Sequence, residues 1–133
     1  MKPYLIILYF IACIAVGASA DALGGDMGHY LEPLEILMCL SGALIFKPQR
    51  WWAFLISYVS FRIVGFDIIH NLVSGEVWNY IGSVGYWDKF FGHYPPSGLI
   101  WLRGIFLLLG GSITLRYLKP VNNKPSKPSY NIK

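Results

Sequence analysis

The stretch "WWAFLISYVSFRIVGFDIIHNLVS", residues 51–74, decides how this chain is read. At 1.5 Å of rise per residue it is long enough, as a helix, to cross a hydrocarbon layer ~30 Å thick. Yet Arg62, Asp67, His70 and Asn71 interrupt its apolar run. An ionisable side chain at the centre of a span costs at least ~2.5 to 3.5 kcal/mol, so such groups face protein or water rather than lipid. The stretch therefore predicts a membrane-crossing helix with polar partners on its neighbours.

Working outward, three more apolar segments have comparable character, at about 4–20, 30–46 and 97–118. The composition agrees: 55% of the 133 residues are hydrophobic and only 14% are charged, against ~25% charged in an average soluble domain. The expected fold is an all-α membrane protein. It is a four-transmembrane-helix antiparallel bundle over residues 1–118, with a short interfacial aromatic segment between the third and fourth helices. "KPQR", residues 47–50, makes a tight inner turn in which Pro48 ends the second helix, and Trp51 and Trp52 suit the interface beyond it. The connection "DALGGDMGH", residues 21–29, is short too, so consecutive helices are expected to be antiparallel neighbours.

The net charge of +4 is a statement about sides. With four spans, the N-terminus, the inner turn and the C-terminal tail share one side, which carries Lys2, Lys47, Arg50, Arg116, Lys119, Lys124, Lys127 and Lys133 and no acid. Asp21, Asp26, Glu76 and Asp88 lie on the other side with Lys89. The positive-inside rule makes the basic side cytoplasmic, and a membrane of the bacterial inner-membrane type is expected. Topology accounts for the basic balance, and no nucleic-acid partner is called for.

"MKPYLIILYFIACIAVGASAD", residues 1–21, carries two readings. Its basic start, apolar region and Ala18-Ser19-Ala20 make a competent secretory signal cleaved after residue 20. Its small residues Ala12, Ala15, Gly17, Ala18 and Ser19 also suit a retained helix packed closely on another, and retention is the reading adopted. Cys13 and Cys39 fall near mid-span and read as small hydrophobes. At the other end, residues 119–133, rich in Lys, Pro and Asn, predict a disordered basic cytoplasmic tail.

Residues 76–96 are too polar and glycine-broken to span, and too aromatic to lie free in water. Trp78, Tyr80, Trp87, Phe90 and Phe91 predict an interfacial layer over the outer ends of the spans. Anchoring is its simpler role; a lid over a site is the sharper one.

Glu35, Arg62, Asp67, His70, Asn71 and Arg103 form the candidate polar network or ion pathway. Counted from the outer ends of the expected spans, Glu35, Asp67 and Arg103 lie at a common level ~8 to 10 Å deep, whereas Arg62 is about 18 Å deep. At ~100° per residue Asp67, His70, Asn71, Ser60 and Ser74 share one stripe, with Arg62 on its shoulder. Arg62 and Asp67 are spaced badly for an intrahelical pair. Arg103 is thus expected to pair with Asp67 or Glu35, and Arg62 with the carboxylate left over. A metal site would need His29, His70 and His93 to converge, and no two of them have local ligand spacing.

Three functions compete. The first is a non-enzymatic accessory or assembly component whose ion pairs fix helix arrangement, with the bilayer and other membrane subunits or a second copy as partners. The second is a small proton- or ion-coupled transporter or channel subunit. The third is a membrane enzyme or cofactor-binding protein in which Asp67 orients His70. No nucleotide-binding loop, HExxH, CxxC or nucleophile-elbow pattern occurs, and no particular cofactor is implied.

Overall fold

A computed structural model describes residues 3–48, 50–78 and 96–118, with backbone only for 25–32, 96 and 97. The described residues form four helices and no strand: α1 (Pro3–Leu23), α2 (Gly25–Phe46), α3 (Trp51–Ser74) and α4 (Pro96–Tyr117). Three segments, Pro3–Leu23, Trp51–Ser74 and Gly98–Tyr117, are long and apolar enough to cross a membrane. Within α2 the apolar stretch is the shorter Pro33–Phe46.

The expected loop at 21–29 is almost wholly helical. Its one break is Gly24, at φ 61° and ψ −170°, a backbone conformation that only glycine adopts without strain. A single residue thus reverses the chain, and α2 begins at Gly25 instead of Tyr30. At the other end of α2, Lys47 takes a left-handed conformation and its N–H donates to the Ala43 carbonyl at 3.2 Å. Pro48, which has no N–H to continue the ladder, follows directly. Gly75, at φ 76°, ends α3, and the Glu76 N–H donates to the Asn71 carbonyl at 2.8 Å.

Side-chain contacts give the helix directions. Tyr9 meets Ser41, and Gly17 meets Glu35, so α1 and α2 are antiparallel. Phe10 meets Phe54 and Asp21 meets His70, so α1 and α3 are parallel. Trp52 meets Tyr117 and Asp67 meets Arg103, so α3 and α4 are antiparallel. Direction alternates along the chain as expected, but consecutive helices are not all neighbours. Packed against each other, α1 and α3 form the centre, with α2 flanking α1 and α4 flanking α3. Between α2 and α3 the backbones approach at few points. The expected bundle is therefore a bent row in the order α2, α1, α3, α4.

The row follows from side-chain size. On the side of α1 facing α2 lies Gly17, and on the side of α2 facing α1 lies Gly42, where a Cβ would collide with the Tyr9 ring. These glycines let the two backbones approach. Facing α3, α1 presents Ile6, Phe10, Cys13 and Ile14, all essentially inaccessible. The Phe10 ring lies edge-on to Phe54 at 4.8 Å and to Tyr58 at 5.6 Å between centroids, a favoured aromatic geometry. Gly110 of α4 packs against Ser60 and Phe61, and the Ser57 hydroxyl donates to the Gly110 carbonyl at 3.4 Å. Cys13 and Cys39 are buried free thiols.

Candidate functional site

Three polar junctions join the helices, and they build on two faces of α3. The first is centred on Glu35, the most buried carboxylate among the described residues. By count it sits at the middle of α2, and Arg62 sits at the middle of α3. The Arg62 Nε donates to Glu35 Oε1 at 2.8 Å and an Nη donates to Oε2 at 3.3 Å, a two-point clamp. The Tyr58 hydroxyl donates to Oε1 from one turn further down α3. Behind the carboxylate is Gly17 of α1, where any Cβ would overlap Oε2. A missing side chain on α1 thus opens the space in which a group from α2 meets two groups from α3.

The second junction continues outward along the same face. Tyr58, Arg62, Phe66 and His70 are four residues apart, and a spacing of four keeps one face of a helix. The Arg62 guanidinium lies 4.2 Å from the centre of the Phe66 ring, which is cation–π geometry. His70 stacks on the same ring at 6.4 Å and 19°. His70 Nε2 lies 3.5 Å from the Asp21 carboxylate of α1, and Nδ1 lies 3.4 Å from Asn71 Oδ1. Asn71 Nδ2 donates to the Trp78 carbonyl at 3.3 Å, tying the chain beyond α3 to the helix end.

On the opposite face of α3, Arg103 of α4 donates from Nη to Asp67 Oδ2 at 2.9 Å. The Arg103 side chain is 11% exposed and that of Asp67 39%, so the acid opens outward while the guanidinium is enclosed. The pair lines a small cleft with Ile63, Leu99 and Leu102.

The pairing is the first of the two arrangements expected, Arg103 with Asp67 and Arg62 with Glu35. Two expectations are corrected. Glu35 does not share a level and a junction with Asp67 and Arg103: depth counted from Tyr30 set it too near the outer end, whereas α2 starts at Gly25 and Glu35 is mid-helix. His70 does not belong to the stripe of Asp67 either. It completes the column of Arg62 and Phe66, and the carboxylate that orients its ring belongs to Asp21. Sequence reasoning passed over Tyr58, Phe66 and Gly17 as site residues, although the four-residue repeat from Tyr58 to His70 is plain in the sequence.

Among the candidate lid residues Trp78 is exposed at its described position; Tyr80, Trp87, Phe90 and Phe91 lie outside the described residues. So do His93 and the side chain of His29, and among the described residues no three His, Cys, Asp or Glu side chains gather as metal ligands. No protein-family model, characterised protein or solved structure matches this chain.

Proposed function

We propose that this chain is a four-span integral membrane protein of the bacterial inner-membrane type that serves as a non-enzymatic accessory or assembly component. Alternating helix direction supports the orientation. It gathers Lys47, Arg50 and Arg116 at one end of the row and Asp21 and Glu76 at the other, and the basic end is then cytoplasmic. Retention of α1 is supported by its central place: the helix runs unbroken through Ala18-Ser19-Ala20 and supplies much of the core.

The observation that carries the assembly reading is the exposure of Arg62. Its side chain is bound to Glu35 along one edge but remains 40% exposed, at the middle of a helix long enough to span. Hydrocarbon cannot solvate that open edge, whereas a neighbouring polypeptide with hydrogen-bond acceptors can. Val59, exposed one turn below Arg62, is the place to test it. A photo-crosslinking amino acid at position 59, irradiated in native membranes, is expected to give a discrete polypeptide adduct that weakens with Arg62→Gln. Adducts to lipid alone would sink the reading.

The second reading, a proton or ion pathway, draws on the column from Glu35 through Arg62 and His70 to Asp21 at the acidic end. Phe66 counts against it, because it stands between Arg62 and His70 and offers no atom that passes a proton. Proton flux into liposomes that disappears with Glu35→Gln would reinstate this reading.

A further inference from the structure

We propose that the basic end of the α3–α4 pair is a binding site for the phosphate headgroup of an anionic membrane phospholipid. Two arginines, Arg50 just before α3 and Arg116 in the last turn of α4, converge there on one ring. The Arg50 guanidinium carbon lies 4.9 Å from the centre of the Tyr117 ring and that of Arg116 lies 5.5 Å from it. The two cations are therefore no more than about 10 Å apart, about one Debye length at 0.1 M salt. Trp52 completes the group, 5.4 Å from Tyr117 between ring centres and 5.8 Å from Arg50.

No described acid neutralises this pair. All seven acids of the sequence, Asp21, Asp26, Glu32, Glu35, Asp67, Glu76 and Asp88, belong to other parts of the chain. Stretches 36–66 and 104–133, which contain the cluster and everything near it in sequence, hold none. Among the described residues neither Arg50 nor Arg116 makes an ion pair. The pair is thus open to an anion from outside the described residues.

Shape favours phosphate and position favours lipid. A guanidinium presents two parallel N–H groups that match phosphate oxygens, and ring stacking holds each fork in place without consuming those donors. Trp51 and Trp52 give the cluster the aromatic rim typical of a headgroup layer. From Trp52 an exposed apolar track, Leu55 and Ile56, continues one turn along the same side of α3, where an acyl chain attached to the phosphate would lie. A free phosphate ion would use the arginines and leave that track idle. This site is independent of the partner surface at Arg62.

The test is native mass spectrometry of the full chain released from nanodiscs of phosphatidylglycerol or of phosphatidylcholine. The wild type is expected to retain one phosphatidylglycerol. Retention should fall about tenfold or more in R50Q/R116Q, as expected when two interfacial charges are lost. It should also fall in R50K/R116K, which keeps the charge but not the fork. Tail variant K124Q/K127Q should leave retention unchanged. Equal retention of phosphatidylcholine, full retention in R50K/R116K, or a loss in the tail variant equal to that in R50Q/R116Q would overturn the site. Inorganic phosphate bound by detergent-solubilised protein with no preference between the two lipids would overturn the assignment to lipid.

Discussion

Glu35 is held by donors from two residues of α3 and by empty space on α1, and each part of this arrangement predicts something different. In Gly17→Ala the new methyl group and Oε2 claim the same volume. Overpacking of this kind costs ~1 to 3 kcal/mol, and thermal unfolding in detergent should register it as a lower midpoint. Tyr58→Phe leaves the core volume alone and removes one hydrogen bond to a charged group, a loss of ~1.5 to 3 kcal/mol by the same measurement. Arg62→Gln and Glu35→Gln each strand a partner, with an expected loss of ~3 to 5 kcal/mol, and the double variant should recover part of it. Losses that simply add would show that the two side chains do not act as a pair. The guanidinium–carboxylate pairs were legible in the sequence because only two arginines and a few acids lie away from the ends of the spans. Gly17 was not, since a glycine amid other small residues gives no sign of which one faces a carboxylate.

At the scale of elements, hydropathy placed three of the four expected spans at membrane length, because solvent preference sums over about twenty residues, while the apolar part of α2 is the shorter Pro33–Phe46. It placed boundaries less well where one residue decides. "DALGGDMGH" has the polarity of a loop, yet the reversal rests on the backbone freedom of Gly24 alone. Gly24→Ala should cost ~1 to 3 kcal/mol through strain at positive φ, while Gly25→Ala, inside the helix, should be neutral or mildly stabilising. Comparable midpoints for the two variants would contradict the assignment. Angular position on α3 was similarly half-read. Its polar residues were grouped by angle, but the split into one face toward α1 and α2 and another toward α4 depends on which helices are neighbours. That order is set by long-range packing, as with Phe10 against Phe54 and Tyr58.

For the whole molecule, the first two reversals of helix direction followed from short connections, and the row order did not. A sequence read as four apolar helices suggests a closed bundle; the glycine contacts of α1 and the aromatic cluster around Phe10 put α1 at the centre instead. Cleavage after residue 20 would therefore remove the helix against which both α2 and α3 pack. The mature protein is expected to have the intact mass of the full chain, less at most its first methionine. N-terminal sequencing that begins at Asp21 would refute retention and require a different core.

The central place of α1 also bears on the order of events during synthesis. The first helix made is the one on which the next two dock, and α4 arrives last to find α3 already in place. The junction at Glu35 breaks this orderly accretion. Glu35 is separated from Arg62 by 27 residues, so at ~5 to 20 residues per second its carboxylate waits ~1 to 5 s for the guanidinium that clamps it. The second helix is in this sense committed by the third, and a nascent chain halted between them should hold α2 only loosely in the bilayer.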